Sequence, residues 1–140
     1  MNRTTSAIAL FVASFFITTG VWAQAVKANV PFDFTINHTT VPAGTYIISS
    51  TSPEHGVLRI SDNKHVYLLT TALMDQTDSK DNVLVFHKYG NQYFLSAIRC
   101  KDSSSMNLRL PVWSAEKRAR ASQIQEAGIP LSSDVLVALN

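Results

Sequence analysis

The chain has 140 residues, 46% of them hydrophobic and 16% charged, with a formal net charge of +2. Such a balance fits one domain with a real core and excludes a strongly basic nucleic-acid binder. The single cysteine, Cys100, excludes an internal disulfide framework, so the domain must hold together by burial, with Cys100 itself expected inside a strand.

The first element is a leader. Arg3 supplies one positive charge, Ala7–Ile17 is an almost unbroken apolar run, and Val21, Ala23 and Ala25 are small or compact residues at the exit. This is the secretory signal pattern, with cleavage expected near Ala23 or Ala25. The alternative is a retained anchor helix, since no charge falls between Arg3 and Lys27. The expected division is a signal peptide over 1–25 and a single β-domain over 26–140. The expected location is the periplasm or the extracellular space.

Strand signals follow in order. In Lys27–Ile36 the residues Val30, Phe32, Phe34 and Ile36 alternate with Pro31, Asp33 and Thr35, which predicts one half-buried strand. Pro31 cannot donate to a ladder and places the start of that strand at a sheet edge. Pro42 and Gly44 turn the chain into a strand over Thr45–Ser50, and Ser52–Gly56 breaks it again. For Val57–Thr71 a three-residue loop, Asp62–Lys64, sorts the faces best: Ile60 opposes Val66 and Leu58 opposes Leu68, while His65 points outward. The core predicted from these registers is Phe32, Phe34, Leu58, Ile60, Val66, Leu68, Phe86 and Leu95.

After a charged loop over Asp75–Asn82 comes Val83–Ser96, with Gly90-Asn91 as a two-residue hairpin turn. That turn sets Phe86 opposite Leu95, Lys88 opposite Tyr93, His87 opposite Phe94, Tyr89 opposite Gln92, Leu84 opposite Ala97 and Val85 opposite Ser96. A helix is expected over about 114–127, with Ser114 as its N-cap, Glu116 in the first turn and Gly128 at its end. Its apolar residues scatter around the axis, which predicts a surface helix. The tail Ser133–Asn140 suits a short last strand or docking segment. The fold class is therefore all-β: a small barrel or sandwich built as an antiparallel meander of about six strands, plus one C-terminal surface helix.

Chemical motifs are sparse. His38, His55, His65 and His87 have no metal-ligand spacing, and no metal or cofactor is expected. Ser114-Ala115-Glu116-Lys117 matches S-x-x-K, but the partner motifs of serine acylases are missing and helix capping accounts for Ser114. The basic residues Arg99, Lys101, Arg109, Lys117, Arg118 and Arg120 face only Asp102 and Glu116 over the segment Arg99–Arg120. That is usually a solvated face; a weak contact with anionic envelope components is the partner expectation. The candidate ligand-binding residues are His87, Tyr89, Gln92 and Phe94, the second face of the aromatic hairpin. A histidine among apolar neighbours is more often a hydrogen-bonded structural residue, which would then have a ring nitrogen engaged and the basic helix or the tail over it.

The segments VPFDFTI, VPAGTYIIS, FHKYGNQYFLS and SAEKRA resemble a group of small exported β-rich proteins of unknown function common in soil acidobacteria. The resemblance covers most of Ala28 to Ala119 and implies export and a β-domain but no activity. Three functions are weighed. The first is a non-enzymatic, envelope-associated binding or structural module, and the sequence leans away from an enzyme. The second is a small barrel carrying an apolar ligand. The third is a hydrolase using His87, which requires a carboxylate and a nucleophile in the same cleft.

Overall fold

The computed structural model describes residues 25–52, 57–69, 73–74, 79–102, 106–128 and 133–140. The expected signal peptide falls outside them except for Ala25, as do residues 53–56 of the second expected turn and 75–78 of the charged loop.

The strands are β1 (Ala25–Val30), β2 (Phe34–Ile36), β3 (Thr39–Val41), β4 (Gly44–Ser52), β5 (Val57–Ser61), β6 (Val66–Leu69), β7 (Leu73–Met74), β8 (Val83–Tyr89), β9 (Gln92–Arg99), β10 (Leu108–Arg109) and β11 (Ser133–Ala138); the helix α1 is Ser114–Ala127. They form two sheets, β1-β4-β5-β6 and β11-β8-β9-β10-β7, with β2 paired to β3 and to β9. The all-β class with one C-terminal helix holds. The described strands form no closed barrel, and the arrangement is sandwich-like. Reciprocal backbone bonds between Lys27 and Asn140, at 3.1 and 2.8 Å, stitch β1 of one sheet to the residues after β11 of the other.

The meander is local: β4-β5-β6 and β8-β9 follow it, whereas β2 lies parallel to β9 through Thr35 and Phe94. The single strand expected over 27–36 is broken in two. Pro31 offers no N–H to a ladder, so pairing with β4 ends at Val30. Asp33 Oδ1 then accepts the Ala43 N–H at 2.8 Å, which fixes the crossing from one sheet to the other. The apolar phase survives the break, with Ala28, Val30, Phe34 and Ile36 all buried. Asn37 turns β2 into β3 at φ 55°, a left-handed conformation that asparagine tolerates.

The β5-β6 register differs from expectation by one residue. Ser61 pairs with Val66, Ile60 with Tyr67 and Arg59 with Leu68. The loop is four residues, Asp62–His65, because Asp62 caps it: its Oδ1 accepts the N–H groups of Lys64 and His65, and its N–H donates to the His65 carbonyl at 3.0 Å. Side-chain sorting favoured the shorter loop, but local hydrogen bonding at Asp62 decides. Val66 is therefore 56% exposed rather than in the core, and Tyr67 packs against the core instead. The side chain of Leu68 lies outside what is described. His65 is exposed, as expected.

The rest of the predicted core holds. Phe34, Leu58, Ile60, Phe86 and Leu95 are buried, and Phe32 packs against them half-buried. Phe86 is the hub, with ring centroids of Phe32 and Phe34 at 5.0 and 5.2 Å in edge-to-face geometry. Phe32 stacks on Tyr93 at 3.9 Å, and Lys88 Nζ lies 5.5 Å from the Tyr93 ring. Cys100 is buried, and burial above all pushes its thiol pKa up.

Candidate functional site

The hairpin β8-β9 positions the site. Gly90 and Asn91 form its turn, Gly90 at φ 59°. The register runs as expected from Tyr89–Gln92 to Phe86–Leu95 and then shifts: Val85 pairs with Ala97 and Leu84 with Ile98. Ser96 is the extra residue of a β-bulge. The bulge corrects the expected Val85–Ser96 and Leu84–Ala97 pairs, and its physical effect is twofold. It brings Leu84 and Ile98 both into the core, and it re-aims the Ser96 hydroxyl.

That hydroxyl lies 3.0 Å from His87 Nε2. On the other side of the ring, Nδ1 is 2.6 Å from Glu116 Oε1 on α1. An ionised carboxylate can only accept, so Nδ1 carries a proton. Tyr89, one step along the same strand face, donates its hydroxyl to the same Glu116 oxygen at 3.1 Å. Asp134, paired with His87 across β11-β8, brings its Oδ1 to 3.8 Å from Nε2. Glu116 is 2% exposed, the one charged residue buried among those described.

The electrostatics follow from this geometry. The hydrogen bond to Glu116 raises the His87 pKa above its ordinary value; burial and Arg120 oppose the rise, and the charges of Glu116 and Asp134 add to it. Burial, with the Glu116 charge next, pushes the Tyr89 hydroxyl to about 12. His87 thus favours the imidazolium and Tyr89 stays a donor.

The helix is held by this network. Trp113, with φ −79° and ψ 169°, is the N-cap residue, and no side chain caps the helix. Ser114 is therefore the first helical residue and not the cap, because the extended residue before the helix is the tryptophan, which packs its side chain against the core. At the other end Gly128 adopts φ 72° and donates to the Ile124 carbonyl at 2.8 Å, as expected of a C-terminal glycine. The helix is largely exposed, with Ala115, Ala119 and Gln123 half-buried.

A groove of about 500 Å³ opens between α1, β2-β3 and the hairpin turn. Its polar lining includes Arg118, His38, Asp33, Thr35, Asn91 and Gln92, with Phe94 at its base. A smaller groove of about 240 Å³ lies beside it, where Tyr89 and Gln92 face Gln123 and Glu126. The four expected ligand-binding residues therefore divide. Gln92 and Phe94 line the larger groove, Tyr89 and Gln92 the smaller, and His87 lines neither; it lies in the polar network with Glu116.

Sequence reasoning missed Glu116 as the partner of His87 and Arg118 as a groove residue. One signal could have found Glu116. A helix without an apolar stripe needs some other anchor, and Glu116 is the only acidic residue in its first turn. Among the described residues no group of three His, Cys, Asp or Glu side chains is placed to hold a metal ion. No known protein family, curated protein or solved structure matches the chain.

Proposed function

We propose that the protein is an exported, non-enzymatic binding module whose ligand is a small, hydroxyl-rich molecule bearing an acidic group. The groove under α1 carries this reading. Its volume is in the range of small-molecule sites, and its walls offer hydroxyls, amides and the guanidinium of Arg118. Arg118 forms no ion pair with any described residue, so its charge is available to a ligand carboxylate. The one carboxylate in the lining, Asp33, already accepts a backbone N–H. An apolar carrier is less well supported, because the groove is open and its lining is mixed.

Chemical-shift mapping with digalacturonic acid, and with maltose as the neutral control, tests the reading. The acidic saccharide should perturb Thr35, Gln92 and Arg118, and Arg118→Gln should weaken binding by about tenfold, the worth of one charge-assisted hydrogen bond. Equal responses to both sugars, or no change in Arg118→Gln, would count against it. Export is tested by N-terminal sequencing of the secreted or envelope fraction, where mature protein should start after Ala23 or Ala25.

A second reading, a serine hydrolase, is favoured by one observation: Ser96 Oγ, His87 and Glu116 form a relay at 3.0 and 2.6 Å. It ranks below the first because neither groove beside α1 is lined by Ser96 or His87, so neither is placed to meet a ligand there. Labelling of Ser96 by a fluorophosphonate probe would reverse that order.

A further inference from the structure

Resting on the groove reading above, we propose that His87 is a proton-operated clamp on α1, so that the groove closes more firmly in mildly acidic surroundings than above neutrality. The helix forms one wall of the groove through Ala115, Arg118, Ala119 and Ser122. What presses that wall onto the sheet is unusual. Among the described residues of α1 the half-buried ones are Ala115, Ala119 and Gln123, and the one buried side chain is Glu116. An ordinary surface helix docks by an apolar stripe. Here a carboxylate is the anchor, and its partner is a histidine.

A buried carboxylate is costly unless paired and hydrogen-bonded. Glu116 has two donors, His87 Nδ1 and the Tyr89 hydroxyl. Tyr89 remains a neutral donor throughout the physiological range, its pKa lying at about 12. The variable partner is therefore His87. Among the described residues the charged or titratable groups facing the ring are Glu116 and Arg120 from α1, Asp134 from β11 and Tyr89 from β8 itself, with the neutral Ser96 hydroxyl from β9. Asp134 faces the ring whether or not the helix is docked; docking adds Glu116, whose hydrogen bond is the strongest influence on the ring, together with its charge and the opposing Arg120, so the docked helix favours the charged ring.

Linkage fixes the direction. A histidine whose pKa is higher with the helix docked than undocked adds docking stability below the undocked pKa of roughly 6.5. That contribution is lost as pH rises through the docked value. Deprotonation does not sever the network, since a neutral ring with a proton on Nδ1 still donates to Glu116. It removes the charge pairing, so α1 loosens while the sheets stay folded.

Hydrogen–deuterium exchange of the full chain, followed by mass spectrometry on peptides from α1 at pH 5.5, 7 and 8.5, tests the clamp. His87→Gln, measured at the same pH values, cancels the intrinsic pH dependence of exchange. Relative to that variant, α1 in the wild type should lose protection with rising pH, by about tenfold for each unit by which docking raises the His87 pKa. Peptides from β4 and β9 should not change. Parallel profiles in wild type and variant would overturn the proposal. If His87→Gln fails to fold, Glu116→Gln serves as the reference, and parallel profiles there have the same meaning. Titrating digalacturonic acid in parallel separates the two readings. A pH-dependent helix with no saccharide binding leaves the clamp standing and sinks the ligand; pH-independent helix protection with saccharide binding does the reverse.

Discussion

Replacing Phe86 with alanine tests the core and the hairpin register together. The side chain is fully buried and joins three segments of the chain: its own hairpin through Leu95, β2 through Phe34, and the crossing segment through Phe32. Truncating a buried phenylalanine costs about 3–5 kcal/mol through lost transfer energy and the cavity left behind. Two edge-to-face partners put this site in the upper half of that range. For a domain of this size the midpoint of thermal unfolding should fall by roughly 10–20 °C. Circular dichroism melts, with urea unfolding to confirm an unchanged m-value, measure it. The matched control is Val66→Ala. The three-residue loop would put Val66 in the core and make its truncation expensive; the observed four-residue loop leaves it 56% exposed, so the change should stay within about 0.5 kcal/mol. A shift of only a few degrees in Phe86→Ala, or a comparable loss in Val66→Ala, would refute the packing described.

Two further substitutions probe the helix. Glu116→Gln removes the charge but keeps an acceptor for Tyr89; it should destabilise by about 1–3 kcal/mol and lower the His87 pKa, read from its imidazole resonances in an NMR titration. Gly128→Ala forces a Cβ into the left-handed region at φ 72° and should cost about 1 kcal/mol in the melt without altering the His87 titration.

Burial patterns were legible where side chains alone decide the outcome. Alternation placed Phe34, Phe86 and Leu95 in the core, and Gly90-Asn91 set the hairpin turn. The errors arose where backbone hydrogen bonding competes with side-chain sorting. Asp62 lengthened a loop that apolar matching would have kept short, and Pro31 split a strand whose alternation continues on both sides of it. The bulge at Ser96 leaves no trace in periodicity, because it depends on which partner residues both sheets can bury. The site was half legible for the same reason. His87 stood out locally, but Glu116 is 29 residues away and meets it only because the chain crosses through β10 and returns as α1. Pairings of that range are set by topology.

The remaining question is whether a polar anchor is needed for folding or is kept for what it can sense. Replacing both members of a buried charge pair with apolar residues of similar size is often neutral or stabilising, whereas removing one member is not. Tyr89 must change as well, since its hydroxyl would otherwise be left without a partner. The triple variant His87→Leu, Tyr89→Phe, Glu116→Leu should therefore melt within about 1 kcal/mol of wild type or above it, and its helix protection should follow only intrinsic exchange as pH changes. Ser96 is half-buried, so its hydroxyl can turn to water once Nε2 is gone. A loss of more than about 3 kcal/mol would mean that the network specifies the docking geometry itself and that an apolar seam cannot replace it. Retained stability with a flat pH response would mean that the fold does not require the histidine, and that its place under α1 reflects the proton it carries.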